Sequence, residues 1–179
     1  MNRHERRRQK KSGKLNQTVN PNLLQGIKLH TNKNYKEAEV LYRRVLLSEP
    51  TNYEALRHLG ILFQDLKENE KAYNYFMEAL KDNPKGFQAM GTVGTIHMLN
   101  KNYDLAYKCL MNSFRINSNY IPTINNLAAY YHKVHDSKNA LHYAKLSLNI
   151  QPNNPLALIQ YAKALIIGSE LEEAIILLE

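Results

Sequence analysis

The sequence predicts an all-α fold, a solenoid of stacked antiparallel helix pairs, and three observations carry that prediction. Ala38, Ala72, Ala106, Ala140 and Ala174 stand 34 residues apart without a gap, so one structural unit recurs along the chain. A second ladder of small residues, Gly26, Gly60, Gly94, Ala128 and Ala162, runs twelve residues ahead of the first; Pro50, Pro84 and Pro152 follow three of the alanines by twelve, with Ser118 in the fourth place. Within one unit Leu56, Leu59 and Phe63 share an apolar stripe at helical spacing, and Ala72, Phe76 and Ala79 form another, so each unit holds two amphipathic helices.

Taken in order, residues 1–15 are expected to be a disordered basic arm. Arg3, Arg6, Arg7, Arg8, Lys10, Lys11 and Lys14 face a single Glu5, and no apolar residue stands between Met1 and Leu15. The run therefore lacks the hydrophobic centre of a secretory signal and the apolar face of a mitochondrial presequence. Residues 16–179 are expected to be the solenoid, with repeats at 19–52, 53–86, 87–120 and 121–154 and an incomplete one at 155–179. Asn20-Pro21 and Asn154-Pro155 read as helix starts, a capping side chain followed by a ring where no amide is lost. Asn32-Lys33-Asn34 and Asn100-Lys101-Asn102 read as the turns inside a pair, with asparagine expected in the left-handed conformation that ends a helix. Leu171 to Glu179 reads as a second helix cut short, which would leave Ile175, Leu177 or Leu178 uncapped and open to self-association or to a continuing polypeptide. One pair cannot bury its own apolar faces, so the units must stack into one elongated domain.

The pattern resembles the tetratricopeptide repeat family. Counting the proline as position 32, Leu56, Leu59, Gly60, Phe63, Ala72, Phe76, Ala79 and Pro84 fall on the family's signature positions. His97, Ala128, Ser113, Ser147 and Ser118 depart from it in the third and fourth units. The resemblance implies a right-handed solenoid and a concave surface, lined by the first helices, that binds a peptide or a partner's segment. Position 6 of the five repeats carries Leu24, His58, Thr92, Asn126 and Gln160, four of them able to donate or accept hydrogen bonds. In the O-linked N-acetylglucosamine transferases an asparagine row at this position holds a peptide main chain, and Asn125-Asn126-Leu127-Ala128 is similar to that motif. Arg57, Met98 and Lys133 would extend the groove. The carboxylate clamp of chaperone-binding relatives is not matched, since its positions hold Arg57, Ile61, Pro122 and Asn126.

The chemistry of an enzyme is not written here, and the expectation is a binding scaffold without catalytic residues, cofactor or metal. Gly86 and Gly91 before Thr92 have the spacing of a phosphate loop but lack its lysine. His132, His135 and His142 share a region, yet no further ligand stands at coordinating spacing. Cys109 has no partner in the chain and reads as packing. With no apolar run long enough for a membrane span, the location expected is the cytoplasm. An opening of the form Met-Asn-Arg-x-Glu-Arg-Arg is similar to the start of bacterial polypeptides whose repeats precede a glycosyltransferase or sulfotransferase domain, so a second reading is the recognition region of such an enzyme. The third is nucleic-acid binding by the arm. Most of the net charge of +8 belongs to that arm, because the remaining chain holds 17 basic and 15 acidic residues.

Overall fold

The computed structural model describes residues 20–168, and among these residues there are nine α-helices and no strand. They are α1 (Pro21–Thr31), α2 (Tyr35–Ser48), α3 (Tyr53–Asp65), α4 (Asn69–Asp82), α5 (Phe87–Leu99), α6 (Tyr103–Ile116), α7 (Ile121–Lys133), α8 (Ser137–Ile150) and α9 (Pro155–Ile167). The all-α solenoid expected from the sequence is what the chain forms. Each odd-numbered helix packs against the even-numbered one after it, and each even-numbered helix packs on the first helix of the next pair. First helices also meet one another, α1 on α3, α5 on α7 and α7 on α9. They therefore make the inner layer of the solenoid, and the second helices make the outer one. The expectations for the basic arm and for Leu171–Glu179 lie outside the described residues.

The turns inside the pairs correct one sequence expectation. The left-handed residue is not asparagine but the residue between, Lys33, Lys67, Lys101 and His135, with φ of 62, 65, 61 and 59°. At each turn the next residue's amide reaches back five positions, as in Asn34 to the Leu29 carbonyl at 2.9 Å and Asn102 to that of His97 at 2.9 Å. The left-handed residue's own amide reaches back three, as in Lys33 to His30 at 2.8 Å. This is a Schellman closure, which fixes the left-handed site by its place after the helix and not by residue type. The flanking asparagines take the two helix-end positions instead.

Helix starts follow the expected chemistry. The Asn20 side chain accepts from the Asn22 amide at 3.0 Å, Asn154 from Ala157 at 3.1 Å, and Asn52 does the same for Ala55 at 2.9 Å. At the end of α6, where Ser118 replaces proline, the Asn117 side chain accepts the Asn119 amide at 3.1 Å and turns the chain in its place.

Packing explains the small-residue ladder and one of its departures. A Cβ on Gly26 would stand 2.7 Å from the Tyr42 ring, one on Gly60 2.7 Å from Phe76, and one on Gly94 2.8 Å from Leu110. In the fourth pair the residue facing the ladder is Ala144, sixteen positions after Ala128 just as Phe76 is after Gly60. Removing the large partner makes room for the methyl group. Both alanines are fully buried. The core itself falls into two clusters, one from Leu23 to Ile96 and the other from Leu110 to Leu165. At their boundary a polar contact joins three helices: Ser113 on α6 donates to the Phe87 carbonyl of α5 at 2.8 Å and lies 2.7 Å from the Thr123 hydroxyl of α7. Gly91 is glycine because a Cβ would come within 2.7 Å of that threonine. The glycines singled out for phosphate spacing thus sit at a helix cap and inside α5.

Candidate functional inner face

Position 6 of each repeat lies on the inner-layer helices, but its side chains are in different states. Leu24 is exposed on α1. His58 on α3 stacks on the Tyr42 ring, with centroids 5.5 Å apart, and its Nε2 lies 2.9 Å from the Arg57 guanidinium. Burial above all, then Arg57 and His30, holds the His58 imidazole down to about 4. It is therefore neutral at neutral pH, with Nε2 free of hydrogen and accepting from Arg57. On α5 the Thr92 hydroxyl donates to the Gln88 carbonyl of its own helix at 3.1 Å. Asn126 on α7 is half-buried and makes no hydrogen bond among the described residues. Gln160 on α9 has a buried Oε1 without a partner.

The neighbouring candidates divide in the same way. Arg57 is held by Glu54, with Nη2 and Nε at 2.6 and 3.0 Å from one carboxylate oxygen. Its guanidinium thus bridges Glu54 and His58. Met98 is only 9% exposed and offers the inner face little surface. Asn125 is 7% exposed and its Oδ1 is buried without a partner. Lys133 is exposed at the end of α7. Four groups on α7 and α9 therefore keep unspent polar capacity: Asn125, Asn126, Gln160 and His132, whose buried Nδ1 also lacks a partner. An unmet buried acceptor costs roughly 1–3 kcal/mol, and Asn125 Oδ1 and Gln160 Oε1 are such atoms here.

Sequence reasoning missed a cluster at the other end of the layer. His30 Nε2 is 3.0 Å from the Asp65 carboxylate, and its Nδ1 is 3.3 Å from the Tyr42 hydroxyl. Together with Ile27, Tyr35, His58 and Ile61 they line a pocket of about 320 Å³ between α1 and α3. The signal was available, since His30 and Asp65 stand 35 residues apart, one position off the repeat. Among the described residues no group of three or more histidines, cysteines or carboxylates could hold a metal ion. His132, His135 and His142 do not converge on one.

Comparison with known proteins completes the picture. The sequence profile of the tetratricopeptide repeat matches residues 53–85. A human protein, N-alpha-acetyltransferase 16, NatA auxiliary subunit, is 23% identical over 156 residues, covering 86% of this chain and 18% of its own length. The chain thus spans less than a fifth of that curated relative. Among solved structures, PilF of Pseudomonas aeruginosa superposes with a TM-score of 0.77 at 21% identity, over 87% of this chain and 71% of its own. A tetratricopeptide repeat protein from Parabacteroides merdae gives 0.71 at 17% identity, over 90% and 65%. At these identities the structural likenesses speak for the fold.

Proposed function

We propose that this chain, a tetratricopeptide-repeat protein, is an interaction scaffold that holds an extended peptide segment of a partner along its inner helix layer. The observation that carries the reading is the set of unpaired groups on α7 and α9. Asn125 Oδ1 and Gln160 Oε1 are buried acceptors with no partner, and Asn126 beside them makes no hydrogen bond among the described residues. A peptide main chain supplies N–H donors and carbonyl acceptors at regular intervals, which is the complement such a set requires. The mechanism is shape plus backbone hydrogen bonding, without a catalytic step. The likeness to an auxiliary subunit of an acetyltransferase supports a role beside a catalytic protein. The free thiol of Cys109 favours a reducing compartment such as the cytoplasm.

The test is a pull-down compared across variants. Changing Thr92, Asn126 and Gln160 together to alanine should weaken capture of the main partner by about 0.5–1.5 kcal/mol for each hydrogen bond lost. Far-ultraviolet circular dichroism should stay unchanged. Deleting residues 1–14 should leave capture largely intact at physiological salt. If the partner is lost with the arm and kept by the triple variant, recognition lies in the arm and the groove reading fails.

A further inference from the structure

The pocket of about 320 Å³ between α1 and α3 contains two hydrogen-bonding atoms whose roles are fixed and which have nothing to bond. The first is on His58. Its Nε2 accepts from Arg57, which can only donate, so the ring hydrogen sits on Nδ1, and Nδ1 has no partner among the described residues. The second is on Asp65. Burial pushes the Tyr42 hydroxyl up to about 12, so it stays protonated and donates to His30 Nδ1 at 3.3 Å; His30 Nε2–H then donates to Asp65 Oδ2 at 3.0 Å. The other Asp65 oxygen, on a side chain 48% exposed, has no partner among the described residues. His58 and Asp65 stand two turns apart on one face of α3, about 10 Å along its axis, with Ile61 between them. Rings and aliphatic side chains fill the space between these ends. Ile27 and Ile61 form one part of the wall, Tyr42 and His58 stack at 5.5 Å, and His30 meets Tyr35 and Tyr42 edge to face at 5.6 and 6.2 Å. Tyr35 and Tyr42 belong to α2, so the pocket reaches below the inner layer. At the next junction the positions of His58 and Asp65 hold Thr92 and Leu99, and at the one after it Asn126 and Lys133. The combination belongs to the first junction of this chain and not to the repeat pattern.

We propose that this pocket is a socket for a tyrosine side chain of the bound segment, with the free Asp65 oxygen accepting its hydroxyl hydrogen and His58 Nδ1–H donating to its main-chain carbonyl. The proposal rests on the groove reading above and adds the side chain that the first junction selects. A tyrosine residue carries an acceptor, a ring and a donor in that order, which is the order the pocket demands from His58 past Ile61 to Asp65. Its ring extends the edge-to-face cluster already present. Phenylalanine fills the same walls but leaves the Asp65 oxygen unanswered. Lysine answers that oxygen, but Lys33 also lines the pocket and opposes a second ammonium. A carboxylate or phosphate side chain meets Asp65 with charge of the same sign.

The experiment uses the full chain and three labelled dodecapeptides of glycine and serine, each with one central residue changed to tyrosine, phenylalanine or lysine. Affinities are read by fluorescence anisotropy. The tyrosine peptide should bind about tenfold more tightly than the phenylalanine peptide, the effect of one hydrogen bond to a carboxylate. Asp65→Ala should bring that ratio to about one, and Asp104→Ala on α6 should leave it unchanged. Because the readout is a ratio, a general loss of binding in a variant moves both peptides and cancels. Ile61→Arg, which fills the socket without touching Asp65, should weaken both ring peptides. Equal binding of the tyrosine and phenylalanine peptides to the parent overturns the inference. So does tightest binding of the lysine peptide, or a tyrosine preference that survives Asp65→Ala. The two readings fail separately. Binding that the Thr92, Asn126 and Gln160 triple variant weakens equally for all three peptides, with no tyrosine preference in the parent, keeps the groove and removes the socket. A tyrosine preference that Asp65→Ala abolishes and the triple variant leaves untouched supports the socket and counts against the α7 and α9 reading. Absence of binding by every peptide at millimolar concentration removes both.

Discussion

The first two helix pairs and the later ones share a backbone plan but solve the packing problem differently. In the first half, glycine on one helix admits a large ring from the other, Gly26 under Tyr42 and Gly60 under Phe76. Among the described residues the ion pairs Arg43–Glu39, Arg57–Glu54 and Lys71–Glu68, and the histidine–carboxylate contacts His30–Asp65 and His58–Glu54, all lie there as well. In the second half the ring gives way first to Leu110 over Gly94 and then, together with the glycine, to Ala144 and Ala128, and hydroxyls enter the buried layer at Ser113, Thr123 and Ser147. Among the described residues its cations form no salt bridge. Among the described residues one half meets most of its own polar demands and the other leaves several of them unmet. A repeat array separates these tasks readily, because each unit depends mainly on its neighbours.

The sharpest way to break the comparison is to move a methyl group between halves. Gly60→Ala should overpack against the buried Phe76 ring and destabilise by about 1–3 kcal/mol in urea melts. The further change Phe76→Ala should then cost less in the Gly60→Ala background than in the parent, as in the Ala128 and Ala144 arrangement. Additive effects would show that the two positions are not coupled. A smaller contrast lies between two buried serines at the same repeat position. Ser113→Ala removes the bond to the Phe87 carbonyl and leaves the Thr123 hydroxyl without its partner, at about 1–2 kcal/mol. Ser147→Ala removes a hydroxyl whose Oγ is buried and unpaired, and should be neutral or stabilising by up to about 1 kcal/mol. Ala79 already fills that position in the second pair. The smallest effect tests what the halves have in common. Lys33→Gly and Lys101→Gly relieve the same left-handed strain and should each raise stability by about 0.5–1 kcal/mol. Unequal gains would mean that the halves differ in backbone as well as in side chains.

Much of the fold was legible because it rests on spacing. The alanine and glycine ladders fixed the helix pairs, and the Asn-Pro dipeptides marked true caps at Asn20 and Asn154. What spacing could not supply is whether a side chain has already been used. His58 and Thr92 share a repeat position with Asn126 and Gln160, but one accepts from Arg57 and the other donates to its own helix. Those bonds depend on rotamers that a repeat register does not carry. Similarly, asparagine's tolerance of the left-handed region misplaced the turn residue, because the closing hydrogen bonds select a position. The exchange of glycine for alanine at Ala128 could have been read from the sequence by checking the residue sixteen positions on.

The contact among Ser113, Thr123 and the Phe87 carbonyl bears on how the chain responds to cold. Apolar layers lose driving force as temperature falls, while hydrogen-bonded contacts do not weaken in the same way. The helices on either side of this contact are held chiefly by apolar clusters, with the partly exposed His30 contacts among α1, α2 and α3; α5, α6 and α7 are also held by a buried hydroxyl contact. Cooling therefore shifts the balance of cohesion from the flanks of the solenoid toward its middle. A protein that works in the cold would keep its centre as the firmest part, with the outer pairs loosening around it.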